Sequence, residues 1–341
     1  MGRAVPLSIL DLAIIGKGET ARDALEGTVV LARLAEEAGY RRVWYAEHHN
    51  MGSIASSAPA VLIAHVAAHT QHIRLGAGGV MLPNHSPLTI AEQFGTLETL
   101  HPGRIELGVG RAPGSDQNTQ LALRRGPAAA DRFPHDVVEL IGYLRGESRV
   151  PGVTATPGAG TNVPIYVLGS SLFGAELAAR LGLPYGFASH FAPGALEDAV
   201  ALYRKEFQPS DQLDAPHVIA GVNVVVADNE DVAREHLMTV LRSRVNAVLG
   251  GGRSFSDEEA DYLLRTPQGR HIAQMMTYSA VGTPAAVRRY LDDFAEFADA
   301  DELIVVLASP TIEARLQAAE QLADGLALAT DPGAGRSRRG G

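Results

Sequence analysis

Residues 74–114 read RLGAGGVMLPNHSPLTIAEQFGTLETLHPGRIELGVGRAPG. An apolar run carrying Gly78-Gly79 passes through the turn LPNHSP into a helical stretch with proline in its first turn. A second apolar run, Arg104–Val109, follows. The pattern predicts strand, helix, strand. The glycine pair removes every Cβ from the end of the first strand, so backbone there can lie close to a flat ligand. Arg111 comes directly after the second strand, where a guanidinium is a ready partner for a phosphate. Two consecutive strands thus present a platform and an anion clamp on one rim.

The same alternation continues outward in both directions. Strands are expected at 5–10, 42–46, 73–82, 104–109, 164–168, 185–189, 218–227 and 303–308. Helices are expected at 22–38, 59–69, 87–100, 131–144, 172–181, 196–207, 232–249 and 312–328. Strand-then-helix units imply parallel strands joined by crossover helices, and eight of them close a barrel. The expected fold is α/β, a (β/α)8 TIM barrel formed by one domain over residues 1–329. Residues 250–279, opening with GGGRSFSDEEA, break the rhythm and are expected to form a partly mobile insertion before the last strand. Residues 112–130 read as a rim loop, and 330–341 as a disordered tail.

Composition narrows the function classes. The chain has 341 residues, 46% hydrophobic and 20% charged, enough for a large core. A net charge of −10 argues against nucleic acid and anionic membrane as partners. There is no cysteine, which removes disulfides, thiolate metal sites and a cysteine nucleophile. VPLSIL is too short for a signal-peptide core and no apolar run reaches spanning length, so the cytoplasm is the expected compartment.

The remaining polar candidates fall at strand ends, which in a barrel form the active face. Glu47-His48-His49 follows the second strand, and a histidine there can shuttle protons near neutral pH or merely cap the strand. No third ligand stands at metal-binding spacing, so no metal is expected. Gly169, Ser170 and Ser171 lead from the fifth strand straight into an amphipathic helix. Free N–H groups, two hydroxyls and the helix dipole make an anion site there, although a serine N-cap is common. Arg111, on the neighbouring strand end, tilts the reading toward phosphate. FASHFAPG ends the sixth strand and would bring Ser189, His190 and Phe191 to the mouth as an edge suited to a flat substrate, or as packing. Gly108, Gly110 and Gly114 imitate a dinucleotide fingerprint, but the spacing is GxGxxxG and Pro113 stands where the helix should already run.

Taken together, WYAEHH, LGAGGVMLPNHSPLTIAEQF, HPGRIELGVGRAPG, PIYVLGSS and GLPYGFASHF resemble the bacterial luciferase-like flavin-dependent monooxygenases, in particular single-gene luciferase-like oxidoreductases. The resemblance spans nearly the whole chain. It implies that His48 is the active-site histidine near the flavin ring and that Gly78-Gly79 is a cis peptide beneath that ring. It also implies that Glu92 lies near the flavin pocket and that Arg111, Gly169, Ser170 and Ser171 grip the phosphate of FMN. The implied reaction uses reduced FMN, FMNH2, from a separate flavin reductase, together with O2. It oxidises a small organic substrate by way of a flavin C4a-hydroperoxide, in a homodimer. Two alternatives stay open: hydride transfer with a deazaflavin, and a non-catalytic flavin-binding role. Gly110 stands where the light-emitting luciferase α-subunit has cysteine, so light emission is not expected.

Overall fold

The computed structural model describes residues 5–111, 116–126, 128–251 and 253–325. The expected tail at 330–341 lies outside the described residues. In chain order the elements are β1 (Leu7–Asp11), α1 (Ala21–Ala38), β2 (Arg42–Tyr45), α2 (Pro59–Ala67), β3 (Arg74–Met81), α3 (Pro87–Leu100) and β4 (Ile105–Gly110). Then come α4 (Gln117–Ala122), α5 (Phe133–Arg145), β5 (Ile165–Gly169), α6 (Leu172–Leu181), β6 (Tyr185–Phe187), α7 (Leu196–Glu206) and β7 (Val218–Val226). The chain continues with α8 (Glu230–Leu249), α9 (Asp257–Leu264), α10 (Pro267–Gln274), β8 (Ser279–Gly282), α11 (Pro284–Phe297), β9 (Glu302–Leu307) and α12 (Ile312–Gly325).

Among the described residues the nine named strands pair in parallel, and β1 to β7 with β9 close into the (β/α)8 TIM barrel. Closure is made by β9 on β1, with Leu7 opposite Leu303, and by β7 against both β6 and β9. β7 is nine residues long and buried throughout, as expected of a parallel strand covered on both faces. Its far half, Asn223–Val226, carries β8 as an extra strand outside the closed ring.

Local chemistry explains the helix limits. α1 starts with a reciprocal capping box between Thr20 and Asp23 and stops at left-handed Gly39. Outward strand side chains such as Leu75, Leu107 and Val167 pack against the helical shell. Inward ones, among them Leu10, Trp44, Tyr166, Ile219 and Ile304, fill the barrel itself.

The expected insertion holds regular structure. Ser256 and Glu259 form a capping box at α9, and Thr266 with Pro267 opens α10. The S-x-x-E signal is present in the sequence, but the preceding GGGRSFS run masks it. β8 was also not expected, because SAVG is four residues long and too short for a periodic signal, and α11 went unread although Thr283-Pro284 and the spacing of Val287, Leu291, Phe294 and Ala295 carry a helix signal. The expected rim loop at 112–130 contains α4, capped by the Asp116 carboxylate, which accepts from the N–H groups of Asn118 and Thr119.

Candidate active site

The mouth of the barrel is the rim where the strands end. β2 delivers Glu47, His48 and His49 there. Glu47 is 1% exposed and acts as a hub. Its Oε1 accepts from His49 Nε2 and from His85 Nε2, each at 2.8 Å, and its Oε2 accepts from the Met81 N–H at 3.0 Å. Burial pushes the Glu47 carboxyl up, yet the bonds from His85, His49 and Met81 hold it below its ordinary value. An ionised Glu47 accepts only, so both imidazoles donate from Nε2. The hub ties the loop after β2 to the end of β3. Sequence reading assigned no role to Glu47 or His85; the available signal was EHH and LPNHSP on consecutive strand ends.

His48 differs from its neighbour. Its backbone N–H donates to Ser56 O at 3.0 Å, so strand capping is done by the main chain. Its ring Nδ1 is buried and has no partner. Burial lowers the basicity of the ring, and this outweighs the opposing pull of Glu47.

Gly78-Gly79 is cis, and the register between β3 and β4 shifts between Ala77 and Val80. A Cβ on Gly78 would lie 2.7 Å from Leu10 Cδ1, and one on Gly79 would lie 2.6 Å from Leu168 Cδ1 and 2.8 Å from Gly108 O. Both glycines are therefore required by the barrel interior as well as leaving backbone bare at the rim. At Gly110, the last residue of β4, a Cβ would keep 3.8 Å from its nearest neighbour, the carbonyl of Leu168.

Arg111 and the start of α6 lie side by side. The Arg111 guanidinium stands over the ring of Phe173, 4.1 Å from its centroid, in the first turn of α6. Ser171 is the N-cap residue of α6 but its side chain makes no capping bond. The ordinary serine-cap reading therefore does not account for it. The hydroxyl, the first-turn N–H groups and an arginine without a carboxylate partner converge on one end of the helix.

The end of β6 is divided in role. Ser189 is fully buried and its Oγ donates to Gly221 O at 2.6 Å, which makes it a structural tie. Phe191 is 42% exposed and packs edge-on to His190, with ring centroids 5.0 Å apart. The His190 ring lies against Gly221 of β7, where a Cβ would collide with its Nδ1, and that Nδ1 is buried without a partner. The His190 carbonyl accepts from Asn223 Nδ2 at 2.7 Å. Burial first, then the charges of Arg244 and His48, push the His190 ring down to about 3. Glu92 lies half-buried in the second turn of α3 and makes no hydrogen bond or ion pair with the other candidates.

Around the mouth the structure places the start of α6 with its unused Ser171 cap, bare backbone at β3, and two buried imidazole nitrogens without a partner, on His48 and His190. Residues 6–300 match the luciferase-like monooxygenase family, and the chain belongs to that family and is an enzyme. It is 47% identical over 307 residues to a luciferase-like monooxygenase of Escherichia coli (strain K12), covering 89% of this chain and 91% of the relative. It is 38% identical over 299 residues to the N-acetyl-S-alkylcysteine monooxygenase of Bacillus subtilis (strain 168), covering 84% and 88%. The crystal structure of apo-MsnO8 superposes with a TM-score of 0.84 at 33% identity, over 94% of this chain and 98% of that one. Two more distant structures share the fold. The oxygenating constituent of 3,6-diketocamphane monooxygenase from Pseudomonas putida, in complex with FMN, has a TM-score of 0.71 at 17% identity over 94% and 97%. An F420-dependent secondary alcohol dehydrogenase has 0.69 at 15% identity over 95% and 99%.

Proposed function

We propose that this enzyme is an FMN-dependent monooxygenase that receives reduced FMN from a separate flavin reductase and uses O2 to oxidise a small organic substrate. The observation that carries the reading is the open anion site, where Arg111 stacks on Phe173 beside the unused Ser171 hydroxyl, on the same rim as bare Gly78-Gly79. Arg111, Gly169, Ser170 and Ser171 would hold the phosphate. Gly78 and Gly79 would lie under the ring, with Glu92 beside the pocket. When bound, reduced FMN supplies the electrons that activate O2, so that one oxygen atom enters the substrate and the other leaves as water.

The chain's own residues do the rest. His48 Nδ1, neutral through burial and free of other bonds, accepts or returns a proton at the reacting centre. The Glu47 hub keeps His49 and His85 occupied, so they hold the loops rather than exchange protons. Asn50 Nδ2 donates to Asp116 Oδ2 at 2.9 Å, joining the loop after β2 to the cap of α4 across the rim. His190 and Phe191 would line the substrate side, and a small substrate with an oxidisable heteroatom, such as the thioether in the name of the Bacillus relative, suits that space.

The test is to mix anaerobically reduced, FMN-loaded protein with 18O2 and a panel of small thioethers, and to look for one labelled oxygen in a product. Tight binding and turnover of a reduced deazaflavin, with none for FMN, would replace this reading by hydride transfer. We also propose a homodimer through the outer face of α2. Val61 is 72% exposed there, and Ala64, His65, Ala68 and His69 continue an exposed face with no carboxylate. Among the described residues no helix is long and apolar enough to cross a membrane. Light scattering at micromolar concentration checks the dimer, and a monomer sinks it.

A further inference from the structure

Two arginines two residues apart on α8 are treated in opposite ways. Arg242 gives Nε and Nη2 to the two carboxylate oxygens of Asp261, each at 2.7 Å, and Asp261 raises its basicity. Arg244 has no hydrogen bond or ion pair among the described residues, and burial lowers its basicity. Four other shielded arginines are engaged. Arg42 bonds Glu106 and Glu302, Arg104 bonds the carbonyls of Ile73 and Thr70, Arg204 bonds Asp301, and Arg315 bonds the carbonyl of Ile14.

A guanidinium cannot escape burial by losing its proton. One left without a counter-charge is costly, and its cost is relieved by an anion from outside. Arg244 is placed to receive one. α8 packs on β7 and β8, and its Leu237, Val240 and Leu241 lie against Val225 and Ala308 where β7 and β9 end, which brings Arg244, one turn on, toward the wall where the His190 ring lies against Gly221; the Arg244 charge is one cause of that ring's lowered basicity. Asn223, two residues farther along the same face of β7, has a buried Oδ1 with no partner. This wall belongs to β6 and β7, whereas the phosphate site belongs to β4 and α6.

We propose that Arg244 is the anchor for a carboxylate of the organic substrate, gripping it on the β6–β7 wall beside His190 and Asn223. The proposal rests on the reading of the mouth as a flavin-dependent oxygenation site and adds the substrate class. A single planar guanidinium fork matches a planar monoanion better than a phosphate dianion. The anchored end would leave the rest of the substrate free to reach toward His48 and the glycine platform.

The test compares N-acetyl-S-methylcysteine with its methyl ester, a pair differing only in the charge of the carboxyl group. Both are titrated by calorimetry onto the FMN-loaded wild type, Arg244→Met and Arg244→Lys, with thermal unfolding as a check on folding. The wild type should bind the acid at least tenfold tighter than the ester. Arg244→Met should bind both alike, and Arg244→Lys should keep part of the preference. Equal binding of acid and ester by the wild type, binding of neither, or a preference that survives in Arg244→Met overturns the proposal. FMN and riboflavin affinities should be unchanged in Arg244→Met. A loss confined to FMN would give Arg244 to the cofactor phosphate and also overturn it. Failure of the wild type to bind FMN at all would sink the flavin reading instead, and the same acid and ester pair titrated onto flavin-free protein would still decide Arg244.

Discussion

The two ends of this barrel use the same kinds of side chain to opposite effect. At the end where the strands begin, Arg42 is 1% exposed and lies between two buried glutamates. Its Nη1 donates to Glu106 Oε2 at 2.7 Å and its Nη2 to Glu302 Oε2 at 2.9 Å. Tyr166 accepts from Arg42 at 2.7 Å, Trp44 Nε1 donates to Glu106 at 2.8 Å, and Ser8 donates to Glu302. Arg42 Nε is left over there, and His217 Nε2, 3.5 Å from Glu302 Oε2, makes no hydrogen bond. At the mouth, His48 Nδ1, His190 Nδ1, Asn223 Oδ1, Ser309 Oγ and both amide atoms of Asn84 are buried with no partner, and Arg244 has no counter-charge. Buried polar atoms are almost always satisfied in folded proteins, so a cluster that is not marks the place where a ligand completes the structure. The closed network serves stability and the open one serves function, as the two faces of such barrels generally divide.

The largest expected effect lies at the mouth. His48→Ala should lower turnover by about 10²–10⁴, the usual reach of a positioned acid or base. FMN affinity should stay within roughly a factor of ten, about 1.4 kcal/mol, because the phosphate site is elsewhere on the rim. Rapid-mixing kinetics and flavin titration measure the two separately. Normal turnover with normal coupling would make His48 a structural residue. The counterpart at the other end is Arg42→Ala, which strands two buried carboxylates. It should cost about 3–5 kcal/mol of folding stability in denaturant titration, with FMN affinity unchanged in the molecules that remain folded. If both variants lost stability equally and activity equally, the division between the two ends would be wrong.

That division was only half legible in the sequence. Eight strand and helix units predicted the barrel, because parallel strands buried on both faces read as continuous apolar runs. The mouth was legible where chemistry and local pattern coincide, as at Gly78-Gly79, His48, Arg111 and the GSS turn before α6. The closed network was not legible: Arg42, Glu106 and Glu302 are far apart in sequence and each sits at the start of an apolar strand, where a lone charge reads as solvent-exposed. Glu47 and His85 were missed because their partnership depends on β2 and β3 lying side by side. Arg244 was hidden for the same reason, since α8 carries Arg234, Arg242 and Arg244 alike, and only packing separates the two that have acidic partners from the one that has none.

A smaller effect sharpens the comparison within the mouth itself. Arg111→Ala should weaken FMN binding by about 1.5–3 kcal/mol, the contribution of a charge-assisted phosphate contact, while riboflavin binding barely changes. Fluorescence titration of both ligands reads this directly. Equal losses for both would mean that Arg111 only stacks on Phe173 and that the anion site belongs to α6 alone.

The smallest effect concerns how the two ends titrate. Burial pushes the Glu302 carboxyl up, but Arg42 above all draws it down to about 2. Its carboxyl is depressed, so it contributes stability above its unfolded value near 4.5 that is lost as pH falls toward 2. His190 has the opposite charge type and is pushed down to about 3 by burial, Arg244 and His48. Between 6.5, where the unfolded ring takes up a proton, and 3, where the folded one does, the unfolded state holds the extra proton. Stability therefore falls with falling pH in that window, so from pH 6.5 to 4.5 the mouth loses stability before the closed network does. His190→Asn should reduce the slope of unfolding free energy against pH between 6 and 4.5 by up to one proton, while leaving the steeper loss below pH 4 in place. Denaturant titrations at half-unit steps of pH measure both limbs. A slope unchanged in the upper window would mean that the His190 ring takes up its proton over the same pH range in the fold as in the unfolded chain, and that burial does not hold it neutral.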